Sequence, residues 1–506
     1  MVALKGVKLY DASGRVVMRS QVAFDGAGTG RRARHWMPGS DSINSITSGS
    51  ADLIRRRSRD MVRRNAWASS AKKKYVSNII GTGMKPIPQA PDTELRTAVR
   101  DLWERSVDEC DADGLTDFYG LQALAVGEMF DAGECFARMR PRYRTDGLAV
   151  PVQLQLLPPD FLRQTHNENL GGRRYIRQGI EFDALGRRVA YHFYRDHPGE
   201  RFRVAGIETT RVLASEVIHL FEPLEPGQIR GLPATKTILA KLYELDQYDD
   251  ATLMRQRIAS LFAFFFTRPA DEMGTEEDSE DAGARIATIE PGTGYELAPG
   301  ESIETPEVPT VGSYTDFVRT QLRAVAASLD LTYEQLTGDL TSVNYSSIRA
   351  GLLEIRRRHE QIQHGVVGFQ LNRPFWRRWF DDAVIFGALD VPSDYARRSW
   401  TYARVKWMPQ GWSWVDPEKE IKAIVLAIRA GLITRDMAVA QGGYDGEEID
   451  RENAAINERS DALGLAYDSD GRRRASSASS ASDDPGERMD PPEQAAGSRG
   501  ADDAAA

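Results

Sequence analysis

Few side chains in this sequence stand at spacings that could do chemistry, and each near miss fails for a definite reason. Gly81-Thr-Gly-Met-Lys85 has the glycines and the lysine of a phosphate-cradling loop. The chain nevertheless contains no Gly-Lys pair followed by Ser or Thr, so that cradle is incomplete. Asp25-Gly-Ala-Gly-Thr-Gly30 is glycine-rich without the GxGxxG spacing or a clear strand before it, and reads as a linker. His359-Glu-Gln-Ile-Gln-His364 resembles a zinc-binding pair with one residue too many. At about 100° per residue the two imidazoles diverge by about 140°, so one is expected packed and the other exposed. Glu109-Cys-Asp-Ala-Asp-Gly114 starts like a calcium loop, but Gly120 stands where a bidentate acid is needed. A turn leading into a helix is expected there. No GxSxG elbow occurs, and the carboxylates are too many to single out a pair. The chain is therefore expected to have no catalytic, cofactor or metal site and to be no enzyme.

Two polar groups remain to be placed. Arg356-Arg-Arg358 lies beside an apolar stripe and reads as a solvated helix face, or as contacts to phosphate or to the acids of a neighbouring subunit. The segment 332–344 reads as a polar loop between two helices, with the short-chained tip Asp339-Leu-Thr-Ser-Val-Asn344. Trp376, Trp379, Trp400, Trp407, Trp412 and Trp414 read as core or interface anchors rather than a base-stacking surface. The acidic run Asp271 to Asp281 reads as a solvated loop.

The elements that position these groups mix helix and strand. With 506 residues, 41% of them apolar, the chain needs more than one core. Its net charge of −9 argues against a tight, sequence-blind DNA binder. Only Cys110 and Cys135 occur, as expected of reduced thiols in a cytosolic compartment. The start lacks the apolar core of a signal peptide, and no apolar run approaches the length of a membrane span. Residues 1–20 read as a hairpin turning at Asp11-Ala-Ser-Gly14, and 25–50 as mobile. Residues 51–80 read as a basic helix with a partial stripe of Leu53, Ile54, Met61, Val76, Ile79 and Ile80.

Helices follow at 92–110 and 117–132, and strands from about 150 to 221. Val217-Ile-His-Leu-Phe221 reads as a buried strand. Helices are then expected at 233–260 and 314–329, flanking a strand-and-loop insert at 261–312. A long helix should run over 345–371 on the stripe Ile348, Leu352, Ile355, His359, Ile362, Val366 and Phe369, and end before Pro374. Gly351, Gly365 and Gly368 within it suggest close helix packing, or a simple kink. Helical segments continue to 465, with a Trp-rich connector from Trp407 to Trp414. The Ser, Ala, Asp and Pro of the tail cannot offset their ordering entropy, so disorder is expected there.

These residues, in this order, resemble the lambda-type portal proteins of tailed bacteriophages across roughly 50–450. Arg64-Asn-Ala-Trp67 with Asn78-Ile-Ile-Gly-Thr-Gly83 is similar to the first block of that family, and Trp103 with Cys110-Asp-Ala-Asp-Gly114 to the second. Gly179-Ile-Glu-Phe-Asp183, Gly186-Arg187 and Tyr191 resemble its hairpin. Val217-Ile-His-Leu-Phe221 with Pro226-Gly-Gln-Ile-Arg-Gly231 resembles a characteristic block, as does Leu336-Thr-Gly-Asp339 with Asn344-Tyr-Ser-Ser347. Trp412-Ser-Trp-Val-Asp-Pro417 with Glu418-Lys-Glu420 resembles the C-terminal block.

The resemblance implies a helix-rich α+β portal fold with wing, stem, clip and crown regions, closing into a ring, typically of twelve copies. It divides the chain into a flexible segment 1–50, a wing 51–232, stem helices 233–260 and 313–331 and a clip 261–312. A tunnel loop 332–345, a long wing helix and crown helices 346–465 and a tail 466–506 complete the division. Asp339, Thr341, Ser342, Asn344 and Tyr345 would then face the DNA channel, with Asp339 and Asp330 weakening contact by repulsion. Implied partners are further copies of the chain, the terminase large subunit, head-completion or adaptor proteins, the major capsid protein and non-specifically held duplex DNA, but no membrane. The implied place is the portal vertex of the virion, with assembly in the host cytoplasm. Two rivals are another phage structural or scaffold protein and a packaging-associated enzyme. The ordered blocks speak against the first and the missing phosphate loop against the second.

Overall fold

The computed structural model describes residues 9–10, 16–17, 39–201, 208–260, 265–267, 302–304, 314–341, 345–412, 417–465, 467 and 472. Strands β1 (Leu9–Tyr10) and β2 (Val16–Val17) pair antiparallel, as the leading hairpin requires. Helix α1 spans Ile43–Arg64 and α2 spans Ala66–Ile79. The basic stretch is thus two helices, broken where Asn65 leaves helical geometry and caps α2 through its side chain. The glycine and serine of residues 43–50 do not keep them mobile, because Ser42 caps α1 and packing carries the first turns. The stripe expected on α1 is also corrected. Leu53 is exposed, whereas Asn44, Thr47, Ala51, Arg55, Ser58 and Val62 are buried. Small and polar residues fit that face because hydrogen bonds are waiting for them. Ser58 accepts from Thr235 at 2.7 Å, and Asn44 donates to the Gly227 carbonyl at 2.9 Å.

Strand β3 (Lys85–Pro88) precedes α3 (Thr93–Ser106) and α4 (Phe118–Ala132). Strands β4 (Glu134–Pro141) and β5 (Val152–Leu157) follow. Next come β6 (Glu168–Gly171), β7 (Arg174–Arg177), β8 (Ile180–Phe182), β9 (Arg188–Tyr194), β10 (Thr209–Leu213) and β11 (Val217–Phe221). The strands β6 to β10 form one antiparallel meander, and β11-β4-β5 form a second antiparallel sheet. All five residues of β11 are buried, His219 included, in keeping with its reading as a buried strand. Phe136, Leu162, Ile180, Tyr191, Phe193 and Val217 form the core shared by the two sheets.

The larger core surrounds Trp103. Its ring lies 5.3 Å from Phe118 and Trp376 and 5.1 Å from Trp379. The edge-on pairs with Phe118 and Trp379 add to the burial itself. Trp379 also donates to the Ser106 hydroxyl at 2.9 Å, so its polar edge is satisfied.

Helix α5 spans Leu239–Ser260 and α6 spans Tyr314–Ser328. Between them only β12 (Phe265–Thr267) and β13 (Ser302–Glu304) are described, and they pair antiparallel. The acidic run 271–281 lies outside the described residues. The expected polar loop is partly helical, since α7 (Tyr333–Thr337) has Thr332 and Gln335 as a reciprocal capping box. Helix α8 spans Tyr345–Ile362 and passes into a π-helical segment, Gln363–Asn372, and then α9 (Arg373–Ile385). Pro374 therefore does not end the long helix. It sits in the first turn of α9, where its missing N–H is tolerated. The wider i→i+5 turns use more residues than α-helical ones, which turns Phe369 out of the stripe to 61% exposure. Of the glycines there, Gly365 does not mark close packing, for a Cβ on it would meet nothing within 4 Å, whereas one on Gly351 would stand 3.4 Å from Thr332 and one on Gly368 3.0 Å from the Gln363 carbonyl oxygen.

Helix α10 (Tyr395–Tyr402) leads to β14 (Val405–Met408), which pairs with β3. Helices α11 (Pro417–Arg429), α12 (Arg435–Gln441) and α13 (Gly446–Ala462) complete the described chain.

Candidate functional site

The residues singled out by sequence fall on either side of α7. Asp330 turns the chain at a φ of 56°, Thr332 caps α7, and Gly338 ends it in the left-handed region at a φ of 75°. Asp339 follows. Its carboxylate accepts from the Thr341 hydroxyl at 2.6 Å, the Thr341 amide at 3.1 Å and the Tyr333 hydroxyl at 3.3 Å, and lies 3.5 Å from Arg319. The hydrogen bonds from Thr341 hold its pKa below the usual carboxylate range. Leu340 is exposed at the tip. Ser342 and Asn344 lie outside the described residues, as does the side chain of Tyr345.

The arginine run is divided among three surroundings. The guanidinium of Arg358 donates to Asp330 at 3.1 Å and also to Glu222. Asp330 thus carries an ion pair within the chain and does not act as the bare repelling charge expected from sequence. Arg358 is held by two acids of its own chain. Arg356 lies over the Trp412 ring at 5.1 Å, and Arg357 is exposed. Of the two histidines of the failed zinc motif, His359 is fully buried and His364 is exposed. His359 sits edge-on to Tyr75 and face-on to Trp412, and its burial pushes the imidazole pKa down to about 4.

Sequence reasoning missed the strongest electrostatic feature, the buried carboxylate of Glu134. Arg230 grips it with Nε 2.8 and 3.0 Å from the two oxygens and with a terminal nitrogen as well. Arg55 donates from α1 at 3.3 Å, His219 from β11 at 2.9 Å and the Gly231 amide at 2.9 Å. Burial alone would raise this carboxyl. The Arg230 charge and the His219 hydrogen bond outweigh it and hold the pKa far below the usual range. For His219 burial wins, and its pKa is pushed down to about 4. The imidazole is therefore neutral at pH 7 and donates its Nε2 proton to Glu134. Two glycines make the approach feasible. Gly133 adopts a φ of 91°, and a Cβ on Gly231 would stand 2.0 Å from the Gly133 carbonyl oxygen.

Two neighbouring sequence stretches, 217–221 and 226–231, thus converge on one carboxylate that stands 85 to 97 positions earlier in the chain. The signal that could have exposed it is an acid directly after Gly133, at the head of the apolar triplet Cys135-Phe136-Ala137. A second block also receives a structural reason. Asp111 accepts from the amides of Asp113, Leu115 and Thr116, so the calcium-like motif is a turn that feeds α4. Among the described residues, no group of three or more His, Cys, Asp or Glu is arranged to hold a metal ion. Both cysteines are buried, and burial raises their thiol pKa values, so neither is a thiolate nucleophile at neutral pH. No described helix is long and apolar enough to cross a membrane.

Comparison with known proteins places this architecture. The family described as phage portal protein, lambda family, matches residues 29–363. A probable portal protein of Halomonas phage phiHAP-1 is 26% identical over 79% of this chain and 78% of its own length. Portal protein B of Escherichia phage lambda is 24% identical over 87% of this chain and 90% of its own. The portal protein of Escherichia phage N15 is 24% identical over 88% and 92%. A chain in the virion of a native gene transfer agent particle aligns at a TM-score of 0.42, with 14% identity, over 82% of this chain and 93% of its own. The chain belongs to the lambda family of phage portal proteins. That family is structural rather than catalytic, and the chain is a portal protein and not an enzyme.

Proposed function

We propose that copies of this chain close into a ring, of twelve in the family's usual form, and that the ring is the conduit for DNA entering and leaving the capsid. The observation that carries the reading is the α5–α6 helix pair. Tyr248 stacks on Tyr314 at 5.8 Å and meets Phe317 at 5.1 Å, and the Tyr314 hydroxyl donates to Asp249 at 2.8 Å. The base of α5 is anchored by buried Leu242 and Leu245, yet no residue from 246 to 257 is buried. Tyr243, Leu253, Met254 and Phe317 are exposed along the pair. Uncovered apolar side chains on a projecting helix pair need a partner surface, and a closed ring of identical copies supplies one to each.

On this reading α5 and α6 are the stem, the segment between them the clip, and residues 332–345 the tunnel loop at the channel. The remaining helices and sheets are the wing and crown. The ring sits at the portal vertex after assembly in the host cytoplasm, contacts the major capsid protein, and receives the terminase large subunit and then head-completion proteins. Duplex DNA passes without being held, because each neutralised phosphate would add affinity and stall transport.

Sedimentation and negative-stain images of the purified protein should show a ring with a central hole. Leu253→Glu with Phe317→Glu should yield folded protein that no longer forms it. A stable monomer from the unaltered chain would refute the ring. Shortening residues 339–343 to a Gly-Ser link should preserve rings and reduce packaging or retention of DNA. Full infectivity with normal DNA content would remove the loop from the channel.

A further inference from the structure

We propose that a cleft at the α9–α10 junction is a docking site for a protruding acidic segment of a partner protein. This goes beyond the portal reading and does not depend on ring closure. The cleft measures about 460 Å³, and Arg373, Arg377 and Arg404 converge on it with Trp376 and Trp400. Among the described residues, no carboxylate lies within ion-pair distance of any of the three arginines, although neighbours on the same helices are paired. Arg378 binds Asp382 at 2.8 Å, and Arg398 binds Asp394 at 3.4 Å. The one acid at the cleft, Asp381, is taken by the Tyr395 hydroxyl. Arg373 instead touches the His364 ring and lies over Phe369.

Trp400 supplies the second observation. It is 73% exposed, whereas the other described tryptophans are buried or half-buried. Trp376 at the same cleft is 1% exposed and spends its indole N–H on the Ala403 carbonyl at 2.8 Å. A wet tryptophan beside unpaired guanidinium groups has the composition of an interface hot spot. The chemistry of the occupant follows. Guanidinium groups take carboxylates in bidentate fashion, and the indole face takes an aliphatic or aromatic side chain. A concave cleft of this size admits a protruding segment and not a rigid duplex, and three arginines would neutralise only about three phosphates.

The test uses the full-length protein and a fluorescein-labelled peptide, Glu-Glu-Leu-Glu-Glu-Leu-Glu-Glu, read by anisotropy. The peptide should bind, and added salt should weaken it. Arg373→Glu, Arg377→Glu and Arg404→Glu together should weaken binding about tenfold or more, as expected of three part-exposed ion pairs. Lys73→Glu with Lys74→Glu, on the exposed face of α2, should leave it unchanged. Arg404→Glu alone, at an exposed position, gives a smaller loss in the same direction if the triple variant folds poorly. Trp400→Ala should weaken binding without altering its salt dependence. Equal binding by the arginine variants would overturn the proposal. So would binding of a labelled DNA duplex but not the peptide. A change in oligomeric size in the arginine variants, with no peptide binding by the unaltered protein, would assign the cleft to a second copy and also overturn it.

Discussion

Glu134 illustrates how a buried charge is made tolerable at the scale of one residue. Its two oxygens receive hydrogen bonds from Arg230, Arg55, His219 and the Gly231 amide, with Arg55 on α1, His219 on β11 and the adjacent Arg230 and Gly231 beyond it. Replacing one partner leaves the others uncompensated in a dry interior, which typically costs about 3–5 kcal/mol. Glu134→Gln should therefore lower the urea midpoint sharply, or remove soluble protein altogether. An unchanged midpoint would show that the arginines find other partners.

The same cluster sets an acid limit. His219 has a folded pKa of about 4 against about 6.5 when unfolded, so the unfolded chain binds more protons as pH falls below about 6.5. Stability is then fully present above that pH and is lost on acidification, by on the order of 3 kcal/mol at pH 4. Glu134, held low when folded, adds to the loss below about pH 4.3. Melting temperature should fall between pH 7 and pH 5, and His219→Gln should reduce the fall. Parallel slopes for the two proteins would exclude His219 as a contributor.

Among the elements, the π-helical segment has the most to explain. Gln363 donates to the Ile79 carbonyl at 2.8 Å, and Gln370 exchanges two hydrogen bonds with the Phe221 backbone. Asn372 accepts from Gln122 at 3.1 Å. The widened turns thus aim three amide side chains at α2, β11 and α4, which a regular helix of the same sequence would not do. Gly365 lies in this segment with open space where a Cβ would stand. If the amide anchors hold the segment, Gly365→Ala should leave the fold intact and raise stability by up to about 1 kcal/mol, as for glycine within other helices. A lower melting temperature would show that the segment needs glycine flexibility.

At the scale of the whole molecule, α8 ties the end of β11 to the turn between α6 and α7 through the Arg358 contacts to Glu222 and Asp330. The core around Trp103 buries its aromatic residues, while the α5–α6 pair leaves Leu253, Met254 and Phe317 uncovered. On the proposed ring reading, assembly would fall to that pair and stability to the Trp103 core. The tail after 467 carries no apolar periodicity, so a chain ending at Asp468 should fold and assemble as the full one does. Loss of soluble assemblies on that truncation, seen by sedimentation, would make the tail structural.

Patterns that depend on neighbours in the chain were readable from the sequence alone. These were the helix at α4, the buried strand at β11, the divergence of His359 from His364 and the turn at Asp111, each set by periodicity or local capping. The ordered motif blocks identified the family for the same reason, since each is a short stretch with its own geometry. Decisions that depend on distant residues needed the tertiary structure. Arg55 looks like one more cation in a basic helix until Glu134 lies opposite it, and Asp330 looks like a bare charge until Arg358 reaches it. Pro374 should stop a helix, yet the π-helical turns anchored by Gln363, Gln370 and Asn372 lead directly into α9, whose first turn accommodates it. In each case a long-range pairing decides what the local sequence leaves open, and for Arg55, Gln363 and Asn372 it does so in a desolvated core, where an unpaired polar group costs more than an unusual turn.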